Sequence, residues 1–178
     1  GTALSAAEVT DFLKRLPRDV IVVLDEAYIE FATDKKIANG LELLDDYPRL
    51  IILRTFSKLY GLAGLRVGYG FSSGEIIDYM NRVRQPFNVN LLAQAAATAA
   101  LDDNAFVSET LKVVREGLDY LFAGLNRLGI EYHPTQTNFF LIKSPLGGKM
   151  TYELMLREGV IIRSMESFGL KDYIRINV

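Results

Sequence analysis

Apolar residues recur along this chain with two different periods, and the switching between them predicts its elements. From Leu4 to Pro17, "LSAAEVTDFLKRLP" places apolar residues at helical spacing. Ser5 with Glu8 three residues later reads as a capping box, and Pro17 lies just beyond the end. "DVIVVLDEAY" (19–28) is a β-branched run too continuous for a half-exposed strand, which predicts a buried parallel one. "LIILRTFS" (50–57) is a second such run and "RVGYGFSS" (66–73) a weaker third. Helical spacing returns in "GEIIDYMNRVRQ", stops near Pro86, and resumes in "LLAQAAATAALDD" (91–103).

A long helix is expected over 104–129, with Val107, Leu111, Val114, Leu118 and Leu121 on its buried face and Gly129 as its stop. After it come strand-like "IEYH", "TNFFLIK", "VIIRSM" and "DYIRINV", with a helix in "MTYELMLREG" and a turn at "SPLGGK". Strands that alternate with helices before Asn88 indicate an α/β sheet; the segment after about Asn104 reads as a smaller α+β unit. The boundaries this gives are 1–103 and 104–178. Gly1-Thr2 opens directly on a helix and Val178 closes inside a strand pattern, so both ends are expected to be cuts in a longer chain.

Composition narrows the field. With 178 residues, 49% of them hydrophobic, the chain can bury a sizeable core. A net charge of -2 offers no general attraction to nucleic acid or to an anionic membrane. The absence of cysteine excludes disulfides and thiol nucleophiles, and fits a reducing compartment. No apolar run approaches the ~20 residues of a membrane span, and no basic-then-apolar leader opens the chain, so a cytoplasmic location is expected. The single histidine, His133, has no carboxylate cluster beside it, which argues against a metal site.

Two stretches carry chemistry. In "LRTFSKLYGLAGLRVGYG" (53–70), Lys58 directly follows an apolar strand, at the end where open α/β sheets bind ligands. A lysine amine, with a reference pKa of about 10.4, becomes a nucleophile when burial or neighbouring positive charge favours its neutral form. Its characteristic product is a Schiff base with a carbonyl. Thr55 and Ser57 offer hydroxyls, Gly61 and Gly64 permit close backbone approach, and Arg66 supplies a planar cation suited to phosphate. Together they describe a site for a phosphate-bearing aldehyde, pyridoxal 5'-phosphate. Taken alone, the same residues also suit a surface lysine in a glycine-containing turn; a P-loop is excluded because G-x-x-x-x-G-K-[ST] does not occur.

The second stretch is "VVLDEAY" (22–28). Asp25 at the carboxyl end of a strand can pair with a pyridinium nitrogen and keep it protonated, and the Tyr28 phenol can bond a ring oxygen. The alternative is structural, with Asp25 capping a loop and Glu26 a solvated charge.

With both stretches in hand, the chain resembles the fold-type I, class I/II pyridoxal-phosphate aminotransferases. The likeness rests on "VVLDEAYIEFA" (22–32), "LRTFSKLYGLAGLRVGYG" (53–70), "TQTNFFLI" (135–142), "GVIIRSM" (159–165) and "YIRINV" (173–178), and it covers essentially the whole chain. "DEAYIEFA" and "RINV" lean toward the histidinol-phosphate branch of the family. The resemblance implies that Lys58 forms the Schiff base and then carries a proton, Asp25 pairs with the pyridine nitrogen, and Tyr28 bonds the 3'-oxygen. It implies that Thr55, Ser57 and Arg66 hold the cofactor phosphate, and that Arg163 and Arg175 bind anionic groups of the substrates. Those substrates would be histidinol phosphate and glutamate or 2-oxoglutarate, and the full-length enzyme would be a homodimer. Gly1-Thr2 resembles the end of the family's N-N-P-T-G-T loop, so the chain alone is expected to be at best weakly active. Three alternatives stay open: an aromatic or broad-specificity aminotransferase, a threonine-phosphate decarboxylase, and a non-catalytic module that needs no cofactor.

Overall fold

A computed structural model describes residues 3–178; the resemblance at Gly1-Thr2 therefore lies outside the described residues. The chain forms two compact units, Ala3–Thr110 and Leu111–Val178. Each is built around its own small sheet.

The first unit begins with α1 (Ala6–Arg15). Its capping box forms as the sequence predicts: Ser5 Oγ accepts from the Glu8 amide, and Glu8 Oε2 accepts from the Ser5 amide at 2.8 Å. Val9 and Leu13 face inward with Ala38, while Leu16, Val22, Leu43 and Tyr47 close around them. Strand β1 (Val22–Asp25) runs parallel to β2 (Leu50–Thr55). On β2, Leu50 and Ile52 point to one face and are essentially fully buried. Burying a side chain of that size contributes about 1.5–3 kcal/mol.

Two expectations change here. The third strand, β3 (Gly68–Phe71), pairs antiparallel with β2, because the twelve-residue connection from 56 to 67 contains no crossover helix. And β1 is not buried on both faces: it forms an edge of the sheet β1-β2-β3, and Val23 is 55% exposed. Continuous apolar sequence signalled the parallel pairing correctly and its burial incorrectly, since burial depends on what covers each face.

Helices α2 (Gly74–Val83) and α3 (Leu91–Asp102) follow. Asn90 caps α3 through its side chain, which accepts from the Ala93 amide at 2.8 Å. Ala93 and Ala97 on α3 pack with Phe56 and Val67, and these four buried residues form the core next to the loop between β2 and β3.

The long helix α4 (Asn104–Arg127) spans the division at 110/111. Val107, Leu111, Val114, Leu118 and Leu121 are its inward positions, and Gly129 ends the helical run at φ 67°. In the second unit, β4 (Tyr132–His133), β5 (Phe139–Lys143), β6 (Arg163–Ser164) and β7 (Tyr173–Asn177) form an antiparallel sheet of order β4-β5-β7-β6. Phe140, Ile142, Ile162 and Ile174 are its core. Phe122 of α4 stacks on Tyr132 at 4.2 Å and meets Phe140 edge-on at 4.9 Å, which fixes the helix against the sheet. Helix α5 (Gly148–Arg157) begins two residues earlier than its apolar pattern indicates. A Cβ at Gly148 would lie 2.4 Å from the Tyr173 carbonyl oxygen, so only glycine lets the helix start there.

Candidate active site

The carboxyl ends of the parallel strands β1 and β2 open on a depression of about 270 Å³. Asp25, the last residue of β1, and Thr55, the last of β2, line it together with Ser57, Lys58 and Arg66. Five residues from two separate sequence stretches thus reach one place, at the end of the sheet where open α/β folds bind ligands.

Local geometry explains how the lysine is presented. Thr55 Oγ1 accepts from the Ser57 amide at 3.0 Å and turns the chain away from β2. The Gly61 amide then donates to the Lys58 carbonyl at 3.0 Å, and the Leu62 amide to the Phe56 carbonyl at 3.0 Å. Gly61 is at φ 69°, a region that disfavours side chains. Phe56 and Leu59 are buried on either side of Ser57 and Lys58, so apolar anchors hold a loop whose lysine faces outward. Gly64 shows no such requirement: a Cβ there would meet nothing within 4 Å.

Lys58 itself is exposed, so these residues do not supply the burial that the sequence pattern suggested for activating it. Its Nζ lies 5.2 Å from the centroid of the Tyr28 ring, which places Tyr28 next to the amine. Asp25 is exposed as well. One of its oxygens, Oδ1, accepts from the Ala27 amide at 3.0 Å, so the loop-capping role is real and accompanies its place in the depression. Arg66 is held at φ 54°, where a non-glycine residue is strained by roughly 1–2 kcal/mol, and its guanidinium donates to the Ala63 carbonyl at 2.9 Å. The strained backbone sits at the loop position that turns the Arg66 side chain into the depression.

The arginines of the second unit are cross-strand neighbours: Arg163 on β6 is paired in register with Arg175 on β7. Arg175 lies over the Phe139 ring at 4.8 Å and Arg163 over Phe168 at 5.2 Å. Arg175 is half-buried, and its Nε is buried without a hydrogen-bond partner. Two like charges side by side repel, and a bound anion relieves that repulsion. His133 is exposed against Tyr173, and no metal-binding cluster of three or more side chains occurs among the described residues.

One constellation was not anticipated. Glu26 is 6% exposed rather than solvated, and it accepts from Arg54 Nε at 2.9 Å, Arg54 Nη2 at 2.8 Å and the Gly40 amide at 2.5 Å. Arg54 Nη2 also reaches Asn39 Oδ1 at 3.0 Å, and Arg54 lines the depression. A signal was present in the period-two pattern. Arg54 shares the buried face of Leu50 and Ile52, and a cation there needs a partner.

The family model described as "Aminotransferase class I and II" matches residues 1–178. Histidinol-phosphate aminotransferase 2 of Carboxydothermus hydrogenoformans is 46% identical over 100% of this chain and 49% of its own length. Among solved structures, the histidinol-phosphate aminotransferase of Clostridium acetobutylicum matches 100% of this chain and 55% of its own, at TM-score 0.89 and 26% identity. That of Sinorhizobium meliloti, in complex with pyridoxal 5'-phosphate, matches 100% and 49% at TM-score 0.86 and 32% identity. The chain spans about half the length of the curated relatives it matches.

Proposed function

The chain belongs to the class I and II aminotransferases, and from that premise we propose that it is part of a pyridoxal 5'-phosphate enzyme acting on histidinol phosphate. The reaction is transfer of the amino group between L-histidinol phosphate and 2-oxoglutarate, giving imidazole-acetol phosphate and L-glutamate. One observation carries the reading: Asp25, Thr55, Ser57, Lys58 and Arg66 converge on a single depression at the sheet's carboxyl end.

The donor set fits the cofactor. An amine suits its aldehyde, a guanidinium and two hydroxyls suit its phosphate, and a carboxylate suits its ring nitrogen. When bound, the cofactor supplies the carbonyl carbon and the electron-withdrawing ring that the reaction needs. The protein's residues do the rest. Lys58 would hold the cofactor through its amine and would serve as the base for the substrate α-proton. Asp25 would keep the ring nitrogen protonated, and Tyr28, beside the Lys58 amine, would bond the 3'-oxygen. Thr55, Ser57 and Arg66 would orient the phosphate. The in-register pair Arg163 and Arg175 binds anionic groups of the substrates, with Arg175 Nε as a donor not otherwise engaged.

In this reading, 1–103 contributes the cofactor-binding part of a large domain and 104–178 a small α+β domain. The longer protein works as a homodimer in the cytoplasm. No helix among the described residues is long and apolar enough to cross a membrane.

The test is to incubate the chain with pyridoxal 5'-phosphate, reduce with borohydride, and map the label by peptide mass spectrometry. A dominant label on Lys58 that disappears in Lys58→Ala is the expected result. Label scattered over surface lysines would refute the site. A panel of histidinol phosphate, threonine phosphate and aromatic amino acids then separates the aminotransferase from a decarboxylase or a broader aminotransferase on the same scaffold.

A further inference from the structure

One partly buried carboxyl has no part in the chemistry above. Glu30 lies in the single helical turn Ile29–Phe31, two residues after Tyr28, and its Oε1 is buried with no hydrogen-bond partner. Arg54 is the cation that acts on it, but that guanidinium is already committed: Nε and Nη2 go to Glu26, and Nη2 also to Asn39. Two carboxyl groups therefore share the field of one guanidinium, and Glu26 holds it. A carboxylate with a buried, unpaired oxygen is costly; a neutral carboxylic acid in the same place is far less so. The turn that carries Glu30 also carries Tyr28, whose ring lies against the Lys58 amine.

We propose that Glu30 is a positioning residue for the Lys58 site: while protonated it leaves Arg54 bound to Glu26 and Asn39, and this holds the Tyr28 turn beside the Lys58 loop. Loss of its proton sets a second anion next to Glu26, draws Arg54 away from its present partners, and displaces Tyr28 from Lys58. The groups that face Glu30 are Glu26 beyond β1, Arg54 on β2, Tyr60 in the Lys58 loop and Tyr69 on β3. Burial, the largest influence, pushes Glu30 above the ordinary carboxylate range, and Glu26 pushes the same way; its own backbone amide and Arg54 oppose them. Burial likewise raises Tyr60 and Tyr69, so both phenols stay neutral while Glu30 titrates. This rests on the proposed function only in treating Tyr28 and Lys58 as site residues.

The test follows the side-chain carboxyl of Glu30 by carbon NMR across pH, assigned through bonds from its own amide, together with the backbone amides of Tyr28 and Lys58. Expected is a Glu30 midpoint above that of the other glutamates, with the Tyr28 and Lys58 amides shifting at the same midpoint. In Glu30→Gln those shifts are lost and the amides stay at their low-pH positions. A Glu30 midpoint in the ordinary glutamate range, or amides that do not follow it, overturns the proposal; the wild-type titration alone decides if Glu30→Gln does not fold. Borohydride-trapped pyridoxal 5'-phosphate adds a second reading. The ratio of Lys58 label in wild type to that in Glu30→Gln is expected to fall as pH rises through the midpoint. A ratio constant in pH overturns the positioning role. Absence of Lys58 label from both proteins at every pH would instead refute the cofactor reading, and the amide titration still judges Glu30.

Discussion

Replacing Glu26 by alanine removes the counter-charge of a guanidinium whose side chain is 15% exposed, from a carboxylate side that is 4% exposed. It also deprives the Gly40 amide of its acceptor. Breaking a buried pair from one side leaves an uncompensated charge and costs about 3–5 kcal/mol, against about 0.2–1 kcal/mol for a solvated pair. Arg15 and Asp11 on α1, 75% and 60% exposed, provide the solvated reference in the same molecule. The assay is urea unfolding followed by tyrosine fluorescence, since the chain has nine tyrosines and no tryptophan. Glu26→Ala is expected to lower the midpoint strongly, whereas Asp11→Ala leaves it nearly unchanged. The double variant Glu26→Leu with Arg54→Met recovers most of the loss, because apolar groups of similar size can replace a buried pair at little net cost. A Glu26→Ala penalty below about 1 kcal/mol would refute the reasoning, since it would mean that water or the neighbouring Glu30 compensates Arg54.

Other consequences are open to the same measurements. Glu30 is raised in the folded chain, so as pH climbs past the ordinary carboxylate range the unfolded chain ionises first and stability falls until the folded value is reached; Glu30→Gln is expected to flatten that decline in urea midpoints. Glu8 is lowered chiefly by the Ser5 backbone amide, so its support of α1 is present above the ordinary carboxylate range and is lost as pH falls through the lowered folded value; Glu8→Gln is expected to remove this acid sensitivity from α1 amide exchange, whereas Ser5→Ala keeps the backbone amide, only reduces the sensitivity, and costs about 1 kcal/mol through the lost cap. Gly148→Ala drives a methyl into the Tyr173 carbonyl and is expected to destabilise the chain by roughly 1–3 kcal/mol, seen as a lower urea midpoint. Gly64→Ala meets open space and is expected to be neutral or to stabilise by up to about 1 kcal/mol.

Much of this molecule was legible along the chain because its signals are local. The capping box at Ser5, the stop at Gly129 and the inward stripe of α4 each depend on residues within a few positions of one another. The Lys58 loop and the Asp25 strand end were likewise readable, since each places its chemical groups within a handful of residues. The direction of β3 was not, because an antiparallel return is decided by the path of residues 56–67, and that path is set by where Phe56, Leu59 and Val67 find burial. Nor was the exposure of Val23, since the same β-branched run serves a covered strand and an edge strand alike.

The sequence by itself determined which groups are available: one loop lysine between hydroxyls and an arginine, a carboxylate at a strand end, and two arginines twelve residues apart near the end of the chain. Tertiary structure alone decided which of them meet. The parallel register of β1 and β2 brings Asp25 beside the Thr55–Lys58 turn, and the antiparallel register of β6 and β7 sets Arg163 against Arg175. It also turned Glu26 from a candidate surface charge into the buried partner of Arg54, and left Glu30 with an unpaired oxygen beside them. Charge and hydrogen bonding act through space, over a few ångströms between residues as distant in sequence as Arg54 and Glu26, 28 positions apart. Only the folded chain sets those distances.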